Sequence, residues 1–286
     1  MNDLVYTVRQ STLSAYADDA QIFFADSTAE KVEEVINTDL ANVDKWYEQN
    51  GMKRNASKYQ AMGKSQVKPQ FYCENTAIPI TGELKMLGVA VDDKMKFERH
   101  IANVCRKVSQ QIPVLKRMKK ILPFETRKCL YLGFIIPHFN YCSETSHFCN
   151  KNITAKLEKV NEGALRFVFN EKQMLFCELL DKIGLPSLAN QRLAKIVCTV
   201  FKATNSDHGP RSIKELFGHR NSHYDLRGND ILKLPKANTT TYDLKSWRFM
   251  APKLWNSIPD SFRTIRSFKV FKNKIRKLDL SGLIQS

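Results

Sequence analysis

The stretch Tyr16-Ala17-Asp18-Asp19 stands between two short apolar runs, Leu13–Tyr16 and Ala20–Phe24, near the start of the chain. The pattern predicts a strand, a tight turn and a second strand, with two adjacent carboxylates at the tip. Asp is common in turns because its side chain can bond its own backbone. Two neighbouring carboxylates repel each other, and a bound divalent metal would relieve that repulsion. An ordinary polar turn is the alternative, and these residues alone leave both interpretations open.

The charge of the chain is unevenly distributed. Residues 1–50 hold ten acidic and three basic residues, so they carry −7 of a total of +16 and leave +23 for the other 236 residues. A basic body fits a polyanion such as nucleic acid, and the acidic block is then available for another role, such as metal binding. The alternative is a basic soluble protein without such a partner. The hydrophobic content of 43% indicates a folded chain with a sizeable core.

The sequence has seven cysteines, an odd number, and their spacing is irregular. This pattern predicts reduced thiols in an intracellular, non-secreted protein. No signal peptide is visible, and no apolar stretch reaches the roughly 18 residues of a membrane helix. One group has zinc-ligand residue types: His138, Cys142, His147 and Cys149. These residues follow an apolar, helical pattern and lack the paired short spacing of zinc ligands on a turn, so we do not predict a zinc site.

The first third of the chain alternates between extended and helical patterns. Ser27-Thr28-Ala29-Glu30 has the form of a capping box, and the apolar spacing behind it predicts a helix over 28–48 that ends before Gly51. Gly88 is expected to mark a bend or a close backbone approach inside a strand. Three extended segments are predicted after the helix: Tyr59–Gly63, Phe71–Ile80 and Leu84–Val91. Residues 11–95 therefore form a predicted β-β-α-β-β-β layer of the α+β class.

From Glu98 onward the pattern is helical. Apolar residues from Ile101 to Leu115 trace one face of a helix whose other face is cationic. A further helix begins after Pro123, and Pro137 is expected to kink or end it. Additional helices are predicted near residues 153–169, 174–183 and 188–204, and a basic amphipathic helix over 268–278 closes the chain.

Taken together, these motifs resemble the reverse transcriptases of non-LTR (LINE-type) retrotransposons. Tyr16-Ala17-Asp18-Asp19 is similar to the polymerase motif C hairpin, and Met1-Asn2-Asp3-Leu4 to the end of the stretch that precedes it. Asn50–Lys58 is similar to motif D, and Leu84–Asp92 to motif E, the primer grip. The resemblance covers nearly the whole chain, because it continues in three later segments: Ile136–Cys142, Ala164–Arg166 and Leu244–Pro259.

The resemblance implies an α+β fold in three parts. Residues 1–95 would be a partial polymerase palm, made of a β-hairpin, a helix and a small antiparallel sheet. Residues 96–170 would form a mainly α-helical, thumb-like region, and residues 171–286 a basic helical C-terminal region. The implied activity is that of an RNA-directed DNA polymerase, a nucleotidyltransferase that works with an RNA template, a DNA primer and Mg²⁺.

The resemblance also implies roles for particular residues. Asp18 would be a direct metal ligand and Asp19 a supporting carboxylate. Lys58 would approach the triphosphate as a general acid, with an ordinary solvated base as the alternative. The backbone of Leu87-Gly88-Val89 would lie against the primer. Six cations would contact phosphates without reading sequence, with a solvated helix face as the alternative for any one of them: Arg106, Lys107, Lys116, Arg117, Lys119 and Lys120.

In this family three parts precede motif C: motif A, which holds the other metal-binding Asp, motif B and the fingers. No segment of this sequence matches any of them. Asp26, Asp92 and Asp93 all follow motif C, and none matches motif A. We therefore expect a truncated reverse transcriptase that binds Mg²⁺ weakly and does not polymerise alone, because lost alignment costs many powers of ten in rate. The alternatives are a non-catalytic, basic nucleic-acid-binding remnant and a fossil without function.

Overall fold

The computed structural model describes residues 3–63, 69–147, 151–205, 209, 211–218, 231–239, 244 and 246–284. Met1, Asn2, Cys149 and Lys245, which take part in the motifs above, lie outside the described residues. The chain divides into two compact units, a first unit Met1–Met95 and a second unit Lys96–Ser286. Hydrophobic clusters lie within each unit, so each has a core of its own. The assignment of these units to palm, thumb and C-terminal region stays a prediction.

The first unit contains the predicted hairpin. A 3₁₀ turn at Leu4–Tyr6 leads into two antiparallel strands, β1 Thr12–Tyr16 and β2 Asp19–Phe23. The register pairs the last residue of β1 with the first of β2, so Ala17 and Asp18 form a two-residue loop. Ala17 has a φ of 54°, the left-handed conformation that such tight loops need. The hairpin prediction is confirmed.

Helix α1, Ala29–Gln49, packs its buried side beside the hairpin. Val43 and Trp46 of α1 form a core cluster with Leu4, and Leu13 of β1 and Ile22 of β2 pack against that cluster. The helix ends where predicted, because Gly51 adopts a φ of 64° and donates its N–H to the carbonyl of Glu48.

The capping box predicted at the start of α1 is wrong. The N-cap is Thr28, and no side chain caps the helix. The carboxylate of Asp26 instead accepts the N–H of Thr28 at 3.0 Å and the hydroxyls of Ser27 and Thr28 at 3.2 Å. Because the helix begins one residue later than the box requires, Lys31 holds the position at which the box needs a Glu.

Two more hairpins replace two of the predicted single strands. Strands β3 and β4 divide the predicted strand Phe71–Ile80, and strands β5 and β6 divide the predicted strand Leu84–Val91. Each turn contains a non-glycine residue of positive φ, Glu74 at 55° and Leu87 at 46°. The described residues thus contain three separate two-stranded antiparallel sheets. The four new strands are β3 Phe71–Cys73, β4 Thr76–Ile78, β5 Glu83–Met86 and β6 Val89–Asp92.

The predicted strand Tyr59–Gly63 is also wrong. Within the described part of this segment, Ala61 alone pairs, in a single parallel bridge with Ile80. The N–H of Ala61 donates to the carbonyl of Pro79 at 3.1 Å, and Thr81 donates back to Ala61 at 2.9 Å. Pro79 has no N–H with which to continue the ladder toward Tyr59.

The described part of the second unit is helical. Pro137 does not end the helix that begins after Pro123: the hydrogen bonds shift to a π turn over Tyr131–Ile135, and the chain stays helical to Asn140. The helices are α2 Glu98–Arg117, α3 Phe124–Leu130, α4 Ile136–Asn140, α5 Lys151–Phe169, α6 Phe176–Ile183, α7 Leu188–Asn205, α8 Arg211–Lys214, α9 Trp247–Ser257, α10 Asp260–Arg263 and α11 Phe268–Ile275. None of the described helices is long and apolar enough to cross a membrane.

Two hydrophobic clusters organise these helices. The first joins α2, α5 and α6 with the π turn, and its fully buried members include Val108, Leu165 and Leu179. The second joins α7, α9 and α11 around Trp255 and Phe271. The described chain is therefore an α+β protein with small antiparallel sheets and many helices.

Candidate functional site

The two carboxylates of the predicted metal site lie at the exposed tip of the β1–β2 hairpin. Asp18 belongs to the loop, and Asp19 is the first residue of β2, paired with Tyr16. The end of the hairpin away from the loop is fixed, because Leu13 and Ile22 pack against the core of the first unit. The hairpin is therefore anchored through Leu13 and Ile22, and its tip faces solvent.

A buried carboxylate that we did not predict holds the chain just before this hairpin. Asp39 of α1 is fully buried and accepts the N–H groups of Arg9 at 3.0 Å, Gln10 at 3.1 Å and Ser11 at 2.8 Å. It also accepts the Ser11 hydroxyl at 2.7 Å. Burial works to raise the pKa of Asp39, but these hydrogen bonds outweigh it and hold that pKa below its usual value. Asp39 thus fixes the segment that enters β1.

The spacing along α1 contained a signal for Asp39. It lies four residues after the buried Val35 and four before the buried Val43, in the middle of the buried side of the helix. An Asp in that row cannot be left unpaired, because a buried charge without partners is costly. A partner segment could therefore have been expected, although its identity could not.

The tip alone does not supply the ligands of a two-metal site. Among the described residues, no group of three or more His, Cys, Asp or Glu side chains could hold a metal ion. Two ions about 4 Å apart need several converging oxygen ligands. Asp18 lies in the loop and Asp19 begins β2, so the tip offers two carboxylates and no further acidic side chain. The residues present therefore fit part of a magnesium site and not a complete one.

Lys58, the predicted general acid, is exposed at the end of a 3₁₀ turn, Ala56–Lys58. The side chain of Asn55 caps this turn by accepting the N–H of Ser57 at 3.1 Å. No hydrogen bond or ion pair among the described residues joins Lys58 to Asp18 or Asp19. The predicted approach of Lys58 to the triphosphate stays a prediction.

Arg54 anchors the segment that leads to Lys58. Its guanidinium pairs with Asp44 of α1 and with Glu74 in the β3–β4 turn, at 2.6 Å from the Glu74 carboxylate. It also lies 5.8 Å from the centroid of the Tyr47 ring, close enough for a cation–π contact. The Arg54 side chain is 4% exposed and that of Asp44 14%, so this pair is largely shielded from solvent, whereas the Glu74 side chain is 61% exposed. The segment is therefore tied to α1 and to β3–β4.

The predicted primer-grip residues form a turn and not a bent strand. Leu87 and Gly88, with φ values of 46° and 84°, make the two-residue loop between β5 and β6. Both are exposed, whereas Val89 is buried. A backbone surface for a ligand is thus available at Leu87 and Gly88, and the side chain of Val89 belongs to the interior.

The six predicted nucleic-acid-binding cations do not form one stripe. Arg106 and Arg117 lie on the side of α2 opposite its buried row. Lys107 and Lys116 lie roughly 80–100° to either side of them, at 3.6 residues per turn. Helix α2 ends at Arg117, so Lys119 and Lys120 follow it in a turn. All six are exposed except Lys119, which is half-buried.

The zinc-ligand residue types do not come together in the described chain. His138 shares a 3.0 Å hydrogen bond with Gln111, and Cys142 is exposed. Burial, together with the charge of Arg192, lowers the pKa of His147 to about 4. Cys149 lies outside the described residues. The expectation that these residues do not form a zinc site stays a prediction.

Comparison with known proteins gives one partial relative. The "Retrovirus-related Pol polyprotein from type-1 retrotransposable element R1 2" of Nasonia vitripennis is 27% identical over 160 residues, which cover 50% of this chain and 38% of the relative. The similarity supports a retrotransposon-related origin. The chain spans less than half the length of this curated relative. No family model matches the chain, and no solved structure matches it.

Proposed function

We propose that this chain is part of the RNA-directed DNA polymerase of a non-LTR retrotransposon. The first unit is proposed to be a portion of the palm, and the helical second unit the thumb-like and C-terminal regions. The observation that carries the proposal is the β1–β2 hairpin, which presents Asp18 and Asp19 at a tip supported by α1. The partial similarity to a retrotransposon Pol polyprotein supports the same assignment. The proposed ligands are an RNA template, a DNA primer and Mg²⁺.

We propose further that the chain does not extend a primer by itself. The described residues supply two adjacent carboxylates, and phosphoryl transfer with two metal ions needs a larger converging set. Without the second set of ligands, the primer hydroxyl and the leaving group would not be aligned. Activity would then require carboxylates beyond those that the structure describes.

A primer-extension assay on an RNA template with Mg²⁺ tests both proposals. We expect the purified chain to bind the primer–template and to incorporate no dNTP. Template-dependent incorporation that Asp18→Ala abolishes, and that the exposed control Glu48→Ala retains, would show the chain to be active alone. Failure to bind the primer–template at low salt would contradict the polymerase assignment itself.

A second function, non-catalytic nucleic-acid binding, is favoured by the exposed cations on and after α2. Arg106 and Arg117 face away from the core, where they can reach phosphates without disturbing the packing. We expect the double variant Arg106→Gln with Arg117→Gln to lose about two phosphate contacts. Each lost contact should reduce the slope of the logarithm of the binding constant against the logarithm of the salt concentration by about 0.7–0.9. Filter binding over a salt series measures this slope. An unchanged slope would exclude these two side chains from the interface.

A further inference from the structure

A second group of cations lies where α7 and α11 pack together. It comprises Lys202 of α7, Lys272 of α11 and Arg276, the C-cap residue that directly follows α11, and we refer to these three residues as the α7–α11 patch. None of them belongs to the cations on and after α2. Lys202 and Arg276 are exposed, and Lys272 is half-buried.

The aromatic core beneath the patch fixes its geometry. Phe201 of α7 stacks on Phe271 of α11 with ring centroids 4.3 Å apart, and Phe268 lies 5.9 Å from Phe201. The Nζ atoms of Lys202 and Lys272 lie 4.6 and 5.9 Å from the centroid of the Phe268 ring. Two ammonium groups from different helices therefore converge on one ring by cation–π contact.

The sequence spacing places the patch along one edge of the helix pair. Phe268 and Lys272 are four residues apart on α11, and Arg276 follows four residues later at the C-cap, where the backbone is still helical, so the three lie on one side of the helix. Cys198 and Lys202 are likewise four residues apart on α7. The cations thus line the seam between the two helices.

The charges of all three cations act on the half-buried Cys198 thiol. Burial raises the pKa of the Cys198 thiol to about 11, and Lys272, Arg276 and Lys202 each act to lower it. The acid that also influences this thiol is Glu144, whose carboxylate accepts the Thr199 hydroxyl at 3.2 Å. Among the described residues, no carboxylate forms an ion pair with a member of the patch.

Such a cluster of like charges costs free energy unless an anion binds to it, since like charges four residues apart on a helix repel. A membrane surface is a poor match, because the apolar residues Phe271 and Ile275 of α11 are buried in the core. Phe268 is half-buried beneath the ammonium groups, so base stacking on its face is also disfavoured. The exposed chemistry is that of a phosphate-binding surface.

We propose that the α7–α11 patch binds the phosphate backbone of nucleic acid, as a second surface separate from the cations on and after α2. The inference rests on the proposed function only in taking nucleic acid as the ligand. The contact is independent of sequence, because the three side chains present charge and no base-reading pair. The cation–π contacts hold two of the ammonium groups in place before the ligand arrives.

The test uses the full chain with three charges removed from the patch, Lys202→Gln, Lys272→Gln and Arg276→Gln. The control removes three exposed charges elsewhere in the second unit, Lys159→Gln, Lys172→Gln and Lys182→Gln, so the net charge matches. The probe is a labelled 20-mer of mixed sequence, as single-stranded RNA and as duplex DNA. We expect the patch variant to lower the salt slope by about two to three and to weaken low-salt binding at least tenfold, and the control to do neither.

The outcomes separate this inference from the proposed function. If the wild type binds and the patch variant matches the control, the patch is not a binding surface, while the proposed function stands. If the wild type itself does not bind, both fail. Competition by poly-glutamate as effective as that by unlabelled RNA would show recognition of carboxylates, and would also overturn the inference. The charge-preserving variant Lys202→Arg with Lys272→Arg should keep wild-type affinity, which separates lost charge from misfolding.

Discussion

At the residue scale, Asp39 connects α1 to the segment that enters the candidate catalytic hairpin. Four hydrogen bonds converge on its buried carboxylate, three from backbone amides and one from a hydroxyl. We expect Asp39→Asn to lower the free energy of unfolding by about 2–3 kcal/mol, because hydrogen bonds to a charged acceptor are among the strong ones. Urea unfolding at pH 7 measures the change. The control is Glu48→Gln on the exposed side of α1, which should change stability by less than about 0.5 kcal/mol.

The lowered pKa of Asp39 predicts how the stability of the protein depends on pH. The hydrogen bonds hold its folded-state pKa below the unfolded value of about 3.9, despite the opposing effect of burial. Its stabilisation is therefore fully present above about pH 4 and is lost as pH falls through the folded pKa. The stability difference between wild type and Asp39→Asn should be constant from pH 5 to 7 and shrink in more acidic solution. A difference that grows on acidification would show that the folded-state pKa of Asp39 lies above the unfolded value.

At the scale of elements, the β5–β6 hairpin carries conformational strain at its turn. Leu87 adopts a φ of 46°, a region that costs a residue with a Cβ roughly 1–2 kcal/mol. Asn tolerates this region, and Asn-Gly is the preferred pair for such a turn. We expect Leu87→Asn to raise the free energy of unfolding by about 0.5–1 kcal/mol, measured by urea unfolding. Gly88→Ala should do the opposite and lower it by about 1 kcal/mol, since its φ is 84°.

If a substitution stabilises the β5–β6 turn but weakens primer–template binding, the strained conformation of Leu87 has a role in binding. Strained backbone that persists in a fold is often part of a ligand contact. If Leu87 contacts the primer, Leu87→Asn should weaken primer–template binding in filter assays even though the protein is more stable. Unchanged binding would leave the Leu87 conformation as a feature of the hairpin alone.

Hydrophobic periodicity was sufficient to predict the long helices and the first hairpin. The apolar spacing located α1, α2, α5 and α7 to within about two residues, because each buries one continuous side. It failed at the β3–β4 and β5–β6 turns, because Glu74 and Leu87 are not residues that usually adopt positive φ. It also missed buried polar groups within apolar rows, such as Asn161, which accepts the Tyr131 hydroxyl at 2.8 Å. Pairing of that kind depends on a neighbouring element that no local pattern identifies.

For the whole molecule, the uneven distribution of charge led to the prediction of a nucleic-acid partner, which stays a prediction. The acidic first 50 residues and the basic remainder suggested a polyanion and a separate acidic site. The predicted cations divide between α2 and the turn after it. The α7–α11 patch was overlooked, although the spacing of Phe268, Lys272 and Arg276 was visible as a four-residue repeat. Its significance depends on the packing of α11 against α7, which the sequence does not reveal.

The net charge of +16 predicts opposite salt responses for folding and for binding. Excess like charge destabilises a compact chain through self-repulsion, and salt screens it, so the melting temperature should rise between 50 and 200 mM NaCl. Nucleic-acid affinity should fall over the same range, because binding releases counterions from the phosphates. The variant Lys159→Gln, Lys172→Gln and Lys182→Gln has three positive charges fewer, so added salt should raise its melting temperature less than that of the wild type. Its nucleic-acid affinity should fall with salt at the same slope as that of the wild type. A melting temperature that falls with salt would mean that ion pairs such as Arg54–Glu74 outweigh the repulsion among the cations.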